Sequence, residues 1–264
     1  MNVVIVGRGR VGRGLASALQ GTEHPSVLIP GHAFDADAVT KADVIVLAVP
    51  DAAIATCAEH IAAVGNRDAS ILHCAGARGV DELIACRKAG FPVGVMHPLA
   101  SFSDAPKGPS FEGVAFVIAG DAGAVGSAAT IARSIGAVPL TAPIHGPAYH
   151  AVASLVANGA AALVNAAVPA LEQLGLTRQQ SEHALGALLG TVAENVREVG
   201  VPRALTGPIM RGDAQTVAAH RAALGESAPL TAQAYEAVVP LILRCATDLG
   251  LSSAQAQAIA RALE

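Results

Sequence analysis

Two patterns of apolar spacing divide this chain. Through its first half, short unbroken apolar runs alternate with stretches in which apolar residues recur every three to four positions. Val44-Ile45-Val46-Leu47-Ala48-Val49 is the clearest run, and unbroken runs of this kind suit strands buried on both faces of a parallel sheet. They predict strands over 2–6, 26–29, 44–49, 70–73, 92–96, 115–118 and 137–140. Helical spacing predicts helices over 11–19, 52–64, 80–87 and 122–135. The interval 30–41 is short for a full crossover and predicts a cut-down helix. This alternation is that of an α/β domain with a doubly wound, mostly parallel sheet.

Near Pro143 and Pro147 the strand signal stops. Helical patterns then cover 145–174, 178–199, 214–224, 228–249 and 252–263, with Gly175, Gly200, Gly225 and Gly250 placed to end them. Two domains follow: an α/β domain over 1–143 and an all-α domain over 144–264. The alanine-rich stretch 151–170 is long enough for a membrane span, but Ser154, Asn158, Asn165 and Pro169 interrupt it. It reads as a buried core helix of a soluble protein, with no membrane partner.

Composition narrows the function classes. The 264 residues suffice for two modest cores. With 52% hydrophobic and 14% charged residues, disorder is excluded. A net charge of −4 without a basic run argues against nucleic acid. The four cysteines have no CxxC spacing, which argues against a metal site or redox pair and for a reduced, cytoplasmic setting. The N-terminus enters an apolar strand with no basic segment before it, so no targeting leader is expected.

One motif brings in a cofactor. Val3-Val4-Ile5-Val6-Gly7-Arg8-Gly9-Arg10-Val11-Gly12 is a strand, a GxGxxG turn and the start of a helix, the context that makes this motif a Rossmann dinucleotide site. Gly7 permits the tight turn, Gly9 lets the backbone approach a diphosphate, and Gly12 allows close packing of helix on strand. The diphosphate then meets the free amides of the helix N-terminus, beside Val11. Val49, Pro50 and Asp51 end a neighbouring strand on the ligand-binding edge; Asp51 is equally placed to cap the helix that follows. No acid appears at the end of the second strand until Asp35, whereas Arg8, Arg10 and His32 are placed to meet a 2′-phosphate. NADPH is therefore favoured over NADH.

Longer motifs carry a family resemblance. Besides the glycine turn they are Met96-His97-Pro98-Leu99-Ala100-Ser101-Phe102, Tyr149-His150 and Thr206-Gly207-Pro208-Ile209-Met210-Arg211-Gly212-Asp213. Together they resemble the Rossmann-like proteins with a DUF2520 C-terminal domain, over nearly the whole chain. That group is similar to 6-phosphogluconate dehydrogenase, ketopantoate reductase and pyrroline-5-carboxylate reductase. The resemblance implies a nicotinamide cofactor, a helical second domain and a homodimer formed through it, and leaves the substrate open. One position departs: where the related dehydrogenases carry a lysine four residues before an asparagine, Ser154 precedes Asn158.

The candidate chemistry lies in three places. His150, Ser154 and Asn158 recur at i, i+4 and i+8 and so share one helix side, where they either meet a substrate or satisfy neighbouring helices. His97 follows a strand and is placed either to protonate a carbonyl oxygen or to hold the loop after it, with Ser101 near the substrate. Arg211 is suited to clamp a carboxylate or to form a salt bridge, and Asp213 to orient it or to cap a helix. These residues describe an NADPH-dependent reductase of a small carbonyl or imine acid, ketopantoate-type substrates included, with His97 or His150 as acid and no metal. A prephenate- or arogenate-type dehydrogenase using His97, and an NADP(H)-binding sensor without turnover, are the alternatives.

Overall fold

The computed structural model describes residues 1–31, 36–104 and 108–263. Seven strands form one sheet: β1 (Val3–Val6), β2 (Ser26–Ile29), β3 (Val44–Leu47), β4 (Ser70–His73), β5 (Val93–Pro98), β6 (Ala115–Gly120) and β7 (Val138–Thr141). Their order is β2-β1-β3-β4-β5-β6-β7, parallel throughout except between β5 and β6. This is the expected doubly wound Rossmann-type sheet. Helices α1 (Arg10–Leu19), α2 (Ala36–Thr40), α3 (Ile54–Val64), α4 (Ile84–Lys88) and α5 (Ala122–Ser134) alternate with the strands. The expected cut-down helix is α2, with five residues.

Side-chain alternation along the strands feeds two cores, one per face. Val3, Ile5, Val44, Val46 and Leu72 pack with Leu15 and Leu19 of α1 and Ala124, Ala128 and Ile131 of α5. Val4, Val6, Ile45, Leu47 and Ile71 pack with Ile54, Cys57, Ala58 and Ile61 of α3 and Cys86 of α4. The central strands are buried along their whole length, which is why they read as unbroken apolar runs.

The second half is helical: α6 (Pro147–Gln173), α7 (Arg178–Val199), α8 (Ala214–Ser227), α9 (Pro229–Asp248) and α10 (Ser253–Arg261). The chain divides into two compact units, Met1–Ala157 and Asn158–Glu264, so α6 contributes to both. Thr177 with Gln180, and Ser252 with Gln255, form capping boxes that start α7 and α10. Ile209, Val217, Val239 and Ile259 make the core of the second unit, where the Tyr235 hydroxyl also meets His220 Nδ1 at 3.2 Å.

Two expectations are corrected here. Gly225 does not end a helix: α8 runs on to Ser227, the Ala228 amide still donating to Leu224, and Pro229 then begins α9. Nor is α6 a buried core helix, since only Ala166 and Val168 among its 27 residues are buried. Val152, Leu155, Val156 and Leu163 stand exposed along it. By length and hydropathy α6 would also pass as a membrane span.

Candidate functional site

The strand order reverses between β1 and β3, and in open α/β sheets ligands bind outside the carboxyl ends of the strands at such a point. The glycine turn lies there. Gly7 has φ of +117°, a conformation that side chains rarely adopt, and a Cβ on it would strike the Ala48 carbonyl at the end of β3. A Cβ on Gly12 would strike the Gly7 carbonyl, so α1 can start this close to the turn only with glycine. Gly9 is different. It is the N-cap of α1, no side chain caps that helix, and a Cβ built on it meets nothing within 4 Å. Two glycines thus fix the turn, and the third leaves uncapped amides open to an anion, which fits a dinucleotide diphosphate.

The arginines of the turn part company. Arg10 donates to the Asp104 carboxylate at 2.8 Å and to the Phe102 carbonyl at 3.4 Å, which commits it to the loop after β5. The Arg8 side chain is exposed and has no ion pair among the described residues; its carbonyl accepts from Arg13 at 2.8 Å. His32 and Asp35 lie outside the described residues. Val49 packs under the turn, its Cγ1 reaching 3.2 Å from a Cβ on Gly7 and 2.9 Å from one on Gly31. Pro50 leads into a 3-10 turn, Asp51–Ala53, that has no side-chain cap. Asp51 therefore does not cap the following helix, and its carboxylate faces Arg78 Nε at 3.6 Å.

Along the same edge stands a group of histidines. His73, fully buried at the end of β4, joins its Nε2 to the Gly79 carbonyl at 3.0 Å, and its Nδ1 accepts from the Ala75 amide at 3.2 Å. That pairing is a neutral imidazole, and burial pushes its pKa down to about 4. His145, just ahead of α6, donates from Nε2 to the Val117 carbonyl at 3.1 Å, and burial lowers its pKa as well. The Gly146 amide donates to the Gly76 carbonyl at 3.0 Å. Together these bonds pin the first turn of α6 to the sheet edge.

The pinned turn presents Tyr149 to His97. The Tyr149 hydroxyl and His97 Nδ1 are 2.8 Å apart, and their rings meet edge to face at 5.4 Å. Gly76 makes room, because a Cβ there would lie 2.7 Å from His97 Nε2. Burial, then the neighbouring His145 and His150, push the His97 pKa down to about 4, while burial pushes Tyr149 up to about 12. At neutral pH His97 is thus uncharged and Tyr149 keeps its hydroxyl proton. Sequence reading did not single out this tyrosine. Its signals were the Tyr149-His150 motif and its place in the first turn after a strand-edge loop.

The remaining candidates fall as follows. His150 is exposed, with its ring centroid 6.4 Å from that of His97. Ser101 is exposed after β5, and Ser154 is half-buried on α6 within the first unit. Asn158, Arg211 and Asp213 belong to the second unit. Arg211 is exposed at the end of a 3-10 turn. Asp213 caps α8, accepting from the Thr216 amide at 3.0 Å and the Thr216 hydroxyl at 2.6 Å. Among the described residues no group of acids, histidines and cysteines is arranged to hold a metal ion.

Comparison with known proteins agrees with this architecture. Residues 114–241 match the family described as Domain of unknown function (DUF2520). The match begins at the residue before β6, within the sheet. No curated protein matches the sequence. Among solved structures, protein TM1727 from Thermotoga maritima is 26% identical with a TM-score of 0.67, covering 94% of this chain and 99% of its own. Pyrroline carboxylate reductase from Plasmodium falciparum, solved with NADP bound, is 12% identical with a TM-score of 0.59, over 93% of this chain and 98% of its own. A reductive aminase from Aspergillus terreus, solved with NADPH4, cyclohexanone and allyl amine, is 15% identical with a TM-score of 0.56, over 94% of each chain. At these identities the two reductases share the fold of this chain.

Proposed function

We propose that this protein is a cytoplasmic, homodimeric, NADPH-dependent reductase of a small carbonyl or imine acid. The observation that carries the reading is the shared strand edge of the first unit. An open glycine turn follows β1, and the neutral His97–Tyr149 pair stands at the end of β5. The similarity to reductases that bind NADP supports the choice of cofactor and reaction class. The bound cofactor would supply hydride; the amides after Gly9 would hold its diphosphate and Arg8 its 2′-phosphate. The His97–Tyr149 pair would deliver the proton, and Ser154 would orient the reacting group.

Two measurements test the cofactor site. Gly9→Val is expected to fold normally, because its Cβ meets no neighbour, and to weaken NADPH binding at least about tenfold in calorimetric titration by occupying the path of the diphosphate. Unchanged affinity would remove the basis for a dinucleotide site here. NADPH is also expected to bind more tightly than NADH, the gap narrowing as salt rises and collapsing in Arg8→Ala. Equal affinities would take Arg8 out of the site. Reduction is then followed by NADPH absorbance against 2-oxo acids and cyclic imine acids. Tight NADPH binding without oxidation of NADPH by any of them would favour a sensor, a reading supported by Ser154 standing where related dehydrogenases carry lysine.

A further inference from the structure

Among the described residues, helix α7 is covered over little of its surface. Of its 22 residues only Ser181 is buried. Leu185, Leu189, Val192 and Val196 recur three to four apart along one side, the spacing of a packed seam, yet the last three are 40%, 45% and 42% exposed. Beside them runs a line of small residues, Gly186, Gly190 and Ala193. Nothing among the described residues requires these glycines. A Cβ on either meets no atom within 4 Å, and neither has a positive φ. Each weakens a helix interior relative to alanine. In proteins most helical stability comes from packing an apolar face, and on α7 that face stands largely open among the described residues.

Charge indicates which surface. Glu182 precedes Gly186 by four positions, and Arg197 follows Ala193 by four, so the two ends of the small-residue line carry opposite signs. Glu182 pairs with Arg178 at 2.9 Å, while Arg197 has no ion pair among the described residues. If α7 crossed a parallel copy of itself, Glu182 would meet Glu182 and Arg197 would meet Arg197. An antiparallel crossing sets Glu182 against Arg197 at both ends and Gly186 against Ala193 between them, a self-complementary contact with two-fold symmetry. We propose that α7 is the self-association helix of this protein, two copies pairing it antiparallel with Gly186, Gly190 and Ala193 at the crossing. The assignment rests on the homodimer reading above and names the helix, the register and the contact.

Glycine-to-glutamine exchange tests it through the sign of the effect. At solvent-facing helix positions glutamine outperforms glycine, so Gly186→Gln/Gly190→Gln would raise the melting temperature and leave the mass in sedimentation unchanged. At a helix crossing it would separate the copies. We expect a wild-type dimer, and a double variant with intact helical circular dichroism whose dimer dissociation constant is at least about 100-fold higher. A wild-type dimer with an unaffected, more stable double variant would overturn the α7 assignment alone. A wild-type monomer would overturn the homodimer reading with it. Should the double variant not fold, Arg197→Glu decides: weakened association that Glu182→Arg restores supports the antiparallel register, and an unchanged dimer overturns it.

Discussion

Acidification from pH 7 to pH 4 is expected to destabilise the sheet-bearing unit steeply, with His73 the largest single contributor. His73 is fully buried as a neutral imidazole, and its pKa falls from 6.5 to about 4 because burial penalises the charged form. Above pH 6.5 both folded and unfolded chains hold it neutral, and the stability is complete. Between 6.5 and about 4 the unfolded chain takes up a proton that the folded chain refuses, so stability is lost as the pH falls. Below that interval the loss levels off. For His73 the difference is worth about 3 kcal/mol; His97 and His145 act in the same direction, the former diminished by its partial exposure. Urea midpoints by circular dichroism at pH 7 and 4.5 measure the effect. Equal stability at the two values would mean that these histidines are not held neutral.

The second large effect concerns the proton. If Tyr149 delivers it, Tyr149→Phe should lower kcat by about 10²–10⁴-fold with NADPH affinity unchanged. In its Nδ1–H tautomer His97 would donate to the phenol oxygen, leave the hydroxyl proton free for an acceptor, and steady the phenolate after transfer. His97 is then a positioning residue, and its asparagine variant should lose less turnover than Tyr149→Phe. The pH profile separates the two roles. With His97 neutral down to about 4 and Tyr149 protonated up to about 12, kcat should stay level between pH 6 and 9. A rate that falls as the pH rises across that interval would take the proton transfer away from Tyr149.

How far the sequence reached depended on whether a signal was local. Strands β2 and β4 and helix α7 fall at the residues that the apolar spacing predicts, because each is specified by its own pattern. The constraint on Gly7 and Gly12 was legible because it comes from a turn whose parts are neighbours in sequence. The His97–Tyr149 pair spans 52 positions, and what joins them is the return of the chain from β7 past Val117 and Gly76, which no spacing encodes. Asp51 was read as a ligand contact or a helix cap; the 3-10 turn after Pro50 removes the cap and leaves its carboxylate facing Arg78. For α6 the error was one of inference: hydropathy reports that a helix wants cover, and says nothing about which molecule supplies it.

The placement of the tyrosines gives the protein a convenient optical property. There is no tryptophan, and the two tyrosines fall one in each unit, Tyr149 against His97 and Tyr235 against His220. Emission excited near 280 nm therefore comes from two phenols alone, each beside an imidazole. Substituting either tyrosine by phenylalanine leaves a single emitter, so the unfolding of each unit becomes separately visible without an added label. NADPH fluorescence excited near 340 nm would be read against a protein that does not absorb there.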